Sequence, residues 1–83
     1  MPYVSKEERE ALDKRMENID FVSVGQLNYV ITKLCQKFLE KSDKRYSDYN
    51  AIIGVLECAK QEFYRRAVSP YEDHKIKENG DVY

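Results

Sequence analysis

Two stretches of the chain repeat one hydrophobic rhythm. Leu27, Ile31, Leu34 and Phe38 are spaced four, three and four residues apart, and so are Ile52, Leu56, Ala59 and Phe63. Apolar residues at those steps fall on one side of an α-helix, while Thr32, Lys33, Gln36, Lys37 and Glu40 fall on the other side of the first. Val30 and Leu39 widen the first stripe. The pattern predicts helices over about 24–41 and about 48–68. Ser42 to Tyr46 is polar and short, as in a tight link between antiparallel neighbours. The matched spacing predicts an antiparallel hairpin with Leu27 near Phe63, Ile31 near Ala59, Leu34 near Leu56 and Phe38 near Ile52.

Cap residues mark the ends of these segments. Ser23 with Gln26 is a capping-box pattern, and Val22 before it is placed to staple onto Leu27. Ser47 is expected to cap the second long helix. Ser5 with Glu8 is another capping-box pattern, opening a charged segment whose narrow stripe of Leu12, Met16 and Ile19 predicts an amphipathic helix over about 6–19. Met1 to Val4 reads as extended, since Pro2 disfavours helix in its predecessor. At the other end Pro70 is expected to stop the second long helix, with Arg65 and Arg66 in its last turn complementing the dipole. Ser69, Pro70 and Glu72 then supply an N-cap, N1 and N3, and Asn79-Gly80 a left-handed stop, for a short helix over about 70–78. The expected fold is a single all-α domain over 1–83: a two-helix hairpin flanked by a short helix at each end.

Length changes the picture. At 83 residues the chain can form one domain, but its own core is marginal, and chains of this size are commonly stabilised by disulfides, metals or a partner subunit. Cys35 and Cys58 are the only cysteines, without a C-x-x-C pair or an adjacent His, and read as buried free thiols in a reducing cytosol. Association with a second copy is therefore the expected route to stability. Gly54 points the same way: in a helix interior glycine costs about 1 kcal/mol relative to alanine. Its presence predicts a close backbone approach, beside Cys35 in the hairpin register, and Ala51, Gly54 and Cys58 form a small-residue strip suited to an interface. Seven tyrosines and no tryptophan suit half-buried contacts in which the ring is covered and the hydroxyl stays wet.

Charge narrows the function classes. Fourteen basic and 15 acidic residues give a net charge of −1, which supplies no general attraction for nucleic acid or for an anionic membrane. No apolar run approaches the roughly 18 residues of a membrane span and no signal peptide is expected, so the reading is a cytoplasmic protein. His74 is the single histidine and reads as a solvated helix residue; with no base beside either cysteine, the chain is expected not to be an enzyme and to need no cofactor. Glu72, Asp73, Glu78 and Asp81 lack the ligand spacing of a calcium loop and read as a solvated acidic tail. Lys60, Tyr64, Arg65, Arg66 and Tyr71 are the one candidate ligand or partner site: guanidinium forks suit phosphate or carboxylate, and tyrosine rings offer a stacking face. The structural alternative pairs Arg65 or Arg66 with Glu62, Glu72 or Asp73 and clasps the tail.

The opening Met1-Pro2-Tyr3, the segment Gly25-Gln26-Leu27-Asn28-Tyr29 and the closing runs Glu62-Phe63-Tyr64-Arg65-Arg66, Pro70-Tyr71-Glu72-Asp73 and Glu78-Asn79-Gly80-Asp81-Val82-Tyr83 resemble a family of small phage and bacterial proteins without an assigned activity. The resemblance implies phage or mobile-element ancestry and carries no catalytic or binding residues with it. Together these features predict a non-enzymatic adaptor that acts as a homo-oligomer and engages a host protein in the host cytosol. The rival expectation is a protein that sequesters a small anion, such as a cyclic nucleotide messenger, through Arg65, Arg66 and tyrosines.

Overall fold

The computed structural model describes residues 4–83, so the expectation for Met1 to Tyr3 lies outside the described residues. The described chain is all-α. Its helices are α1 (Lys6–Met16), α2 (Val24–Glu40), α3 (Tyr46–Phe63) and α4 (Ser69–Asn79), with a π-helical turn (Tyr64–Val68) between the last two. The two long helices and both flanking helices thus occupy the stretches that hydrophobic spacing assigns them. The chain divides into two units, Met1–Phe38 and Leu39–Tyr83.

In the first unit, α1 starts where Ser5 predicts it to: the Ser5 hydroxyl accepts the Glu8 backbone N–H at 3.2 Å and donates to the Glu8 carboxylate at 3.3 Å. The helix ends three residues before the expected limit. Its last bonds tighten to the i→i+3 type, Glu17 N–H to the Lys14 carbonyl and Ile19 N–H to the Met16 carbonyl, and a turn so tightened does not propagate an α-helix. At α2, Ser23 accepts the Gln26 N–H at 3.2 Å, while the Gln26 side chain reaches one residue further back than in a regular capping box, to the Val22 N–H at 2.8 Å. That extra reach holds the Val22 backbone but not its side chain. Val22 is 90% exposed and does not form the expected staple on Leu27.

The second unit opens with a link whose polar atoms are satisfied locally. The Ser42 hydroxyl donates to the Leu39 carbonyl at 2.6 Å and accepts the Lys44 N–H at 3.2 Å. Lys44 itself sits at φ 56°, a left-handed conformation that costs a side chain with a Cβ about 1 kcal/mol or more. Helix α3 then begins two residues earlier than expected. Arg45 precedes it in extended conformation, and the Asp48 carboxylate accepts the Arg45 N–H at 3.0 Å, so Asp48 rather than Ser47 ties down the first turn. An acid in that position also complements the helix dipole.

Pro70 does not stop the helix. Phe63, Tyr64, Val68 and Ser69 all have right-handed helical angles, and the helix runs from Tyr46 through the π turn to Asn79. The reason lies in the one bond a proline forbids. Pro70 has no N–H to offer the Arg66 carbonyl and its ring collides with that carbonyl in a regular α-turn; here the preceding Ser69 N–H instead bonds the Tyr64 carbonyl, five residues back, and the widened turn makes room. Ser69 is therefore an interior residue and not a cap. At the far end Gly80 ends the helix where expected and sends its N–H to the Ile76 carbonyl at 2.8 Å, but at φ 85° and ψ 158° it is not in the expected left-handed helical conformation.

Among the described residues none is fully buried. Leu34 is 59% exposed, Phe38 62% and Phe63 67%, while Cys35 is half-buried and Cys58 exposed. The expected burial of the thiols is corrected accordingly. A methyl group built on Gly54 meets nothing within 4 Å in the chain.

Candidate functional site

The five candidate residues lie along one continuous stretch of helix. A regular α-helix turns about 100° per residue, so residues eight apart differ by roughly 80° and do not share a face. The π turn takes up one extra residue, which brings the eighth residue back to within about 20° of the first. Tyr64 and Glu72 are eight apart across this turn, and the Tyr64 hydroxyl donates a hydrogen bond to the Glu72 carboxylate. By the same shift Tyr71 comes round toward the face of Phe63. The tail is thus held in line with α3 by the backbone register and by a tyrosine–glutamate contact.

The arginines turn the other way. Glu62 stands three and four residues before them, the spacing at which helix side chains meet. Its carboxylate takes the Arg65 guanidinium at 2.7 Å and lies 3.7 Å from that of Arg66. Of the three acids offered to the arginines by the sequence, Glu62 receives them and Glu72 is occupied by Tyr64. Lys60 lies 3.6 Å from Glu57, whose carboxylate also accepts the Gln61 amide at 3.1 Å. Tyr71 carries the Lys75 ammonium over its ring at 5.7 Å, and Lys75 also meets Glu78 at 3.1 Å, as does His74. The site residues share one continuous stretch of helix.

These contacts set the titration of three groups. Glu57 is held below the usual carboxylate range by its hydrogen bond from Gln61 and by the Lys60 charge. Desolvation works to raise Glu62, yet it too lies below that range, because the charges around it, those of Arg65 and Arg66 among them, outweigh the loss of water. Tyr64 is pushed above its ordinary value by the hydrogen bond to Glu72 and by that carboxylate's charge.

The sequence reading missed the π turn. The signal was a proline with helix-forming residues on both sides and no glycine or asparagine ahead of it to end the first helix. It also missed an open cleft of about 670 Å³ in the first unit, between the end of α1 and the start of α2, lined by Ile19, Phe21, Tyr29 and Val30 with Asp20 and Gln26 at its polar side.

The sequence pattern of one family, a domain of unknown function (DUF6899), matches residues 1–82. The chain belongs to that family. The match takes in all four helices, the π turn and the whole candidate cluster, in accord with the resemblance carried by the opening and closing motifs. No curated protein and no solved structure matches the chain. Among the described residues no helix is long and apolar enough to cross a membrane.

Proposed function

We propose that this protein is a non-enzymatic binding or adaptor protein of phage type, active as a homo-oligomer in the host cytosol and engaging a host protein. One observation supports this above the others: the continuous helix over residues 46–79 displays exposed Leu56, Phe63 and Tyr71 on the side that amphipathic helices cover. Contiguous exposed apolar surface of this kind marks sites of protein contact. Side chains that elsewhere serve chemistry are here engaged with their neighbours, Arg65 and Arg66 with Glu62 and Tyr64 with Glu72. Affinity capture from an infected-host lysate with the tagged full chain, alongside sedimentation of the purified protein, tests the reading. The expected result is a host protein retained by the wild type and lost on Tyr71→Glu, together with a species larger than monomer.

A second reading rests on the arginines. Arg65 and Arg66 share one carboxylate, and their side chains are 70% and 68% exposed, so the pair keeps a surplus cation facing solvent that suits a phosphate or a nucleotide-like anion. A thermal-shift screen with nucleotides separates the two readings: a ligand at about 100 times its dissociation constant adds about 2.7 kcal/mol to stability. A shift that disappears in Arg65→Ala/Arg66→Ala supports sequestration of an anion.

A further inference from the structure

We infer that the face of α3 carrying Ile52, Leu56, Ala59 and Phe63 is covered by the same face of a second copy, running antiparallel, with Ile52 opposite Phe63 and Leu56 opposite Ala59. This inference rests on the homo-oligomer reading and specifies its seam. Leu56, Ala59 and Phe63 are exposed and Ile52 only half-buried. The spacing of these residues, four, three, four, reads the same from either end. An antiparallel copy of the stripe therefore meets it in register at every layer; the α2 stripe has the same spacing, so in this arrangement a second copy takes the place on α3 that the sequence pattern alone offers to α2. Two-fold pairing of one patch with itself is also the commonest way in which soluble chains associate.

Charge favours the same arrangement. Opposed helices place each N-terminus beside a C-terminal half, which sets their dipoles against each other favourably. In this register the level of Asp48 on one copy corresponds to that of Ala67 on the other, next to Arg66. Asp48 uses one carboxylate oxygen for the Arg45 N–H at 3.0 Å, and its negative charge is complementary to a guanidinium. Arg66 lies 3.7 Å from Glu62, the longer of that carboxylate's two arginine contacts. Two-fold symmetry makes the Asp48–Arg66 pairing twice. A parallel copy would set Asp48 beside Asp48 and the two arginine pairs beside each other.

Two measurements on the full chain decide it. Sedimentation velocity at micromolar concentration is expected to give a dimer for the wild type, a monomer for Phe63→Glu with unchanged helical ellipticity, and a dimer for Gly54→Leu. Spin labels then report the direction of the chains. A label on native Cys58, in a Cys35→Ser background, stands level with residue 57 of the second copy, so the paired labels have almost no separation along the axis and are expected to give the shorter spin–spin distance of the two positions. A label at Ser47→Cys, with both native cysteines replaced by serine, stands level with residue 68 of the second copy, so the paired labels are separated by about 30 Å along the axis at 1.5 Å per residue. Short distances at both positions, or a dimer that survives Phe63→Glu and is lost with Gly54→Leu, overturn the seam while leaving self-association intact. A wild type that sediments as a monomer at every concentration overturns both. Should Phe63→Glu lose its helicity, the two spin distances still decide the seam.

Discussion

Gly54→Ala is expected to stabilise the protein. The position is in the interior of α3, its backbone is helical, and a Cβ placed there meets no atom within 4 Å. Alanine therefore brings no clash, and it narrows the conformations that the unfolded chain samples, which glycine leaves wide. The two scales that bear on the exchange put the gain at about 0.5 to 1 kcal/mol. For a domain of this size a change of about 1 kcal/mol moves the melting midpoint by roughly 4 to 8 °C. Urea unfolding followed by ellipticity at 222 nm, at two protein concentrations, measures it: the midpoint should rise while the denaturant slope stays constant. Gly54→Leu should have the same sign, since the space above Gly54 is open. A loss of more than about 0.5 kcal/mol with alanine, deepening with leucine and with protein concentration, would refute this reasoning. It would show that a second helix is seated on Ala51, Gly54 and Cys58, the interface that the small side chains alone suggest.

Three further outcomes follow from the second unit. Tyr64, raised by Glu72, contributes stability that is fully present below about pH 10, its ordinary value, and is lost as pH rises through the higher folded value; Glu72→Gln should remove this alkaline dependence, read from ring carbon shifts of labelled tyrosine. Glu57 and Glu62 have the opposite sign: their lowered values make a contribution that is present above the ordinary carboxylate range and lost as pH falls through the folded values. Loss of ellipticity on acidification should accordingly be shallower in Glu57→Gln/Glu62→Gln. Gly80→Ala places a side chain at φ 85° and ψ 158°, a region essentially reserved for glycine, and should speed amide exchange at Lys77, Glu78 and Asn79 while leaving global unfolding within about 0.5 kcal/mol of wild type.

What the sequence made legible was whatever is decided within four residues. Ser5 with Glu8, Ser23 with Gln26 and Asn79-Gly80 mark helix ends because the cap and the groups it satisfies are near neighbours, and hydrophobic spacing assigns the helices between them. Arg65 and Arg66 were legible in part: Glu62 is at helical spacing from both, but choosing it over Glu72 and Asp73 required knowing that the helix stays intact between them and that Glu72 is claimed by Tyr64. The staple at Val22 failed for a related reason, since a Gln26 side chain that reaches past Ser23 holds the backbone of Val22 and leaves its side chain in solvent.

Pro70 shows where a local rule gives way. Read alone, a proline after two arginines ends a helix, because one hydrogen bond is lost and a ring collides with a carbonyl. Read with its neighbours, it sits between α3 and a segment, Tyr71 to Asn79, that is itself helix-forming, so a single widened turn keeps the helical backbone on both sides where a break would abandon several bonds. The cheaper solution has a geometric by-product that neither helix has by itself. Without the extra residue in the turn, Tyr71 would lie roughly 80° away from Phe63 and Glu72 equally far from Tyr64. With it, the apolar stripe of α3 extends toward Tyr71 and the Tyr64–Glu72 hydrogen bond can form. That hydrogen bond therefore reports the state of the turn: Pro70→Ala restores the regular bond to the Arg66 carbonyl and is expected to raise helicity, separate Tyr64 from Glu72 and return the Tyr64 titration to its ordinary range. A Tyr64 that still titrates high in Pro70→Ala would mean that the side chains, not the proline, hold the turn open.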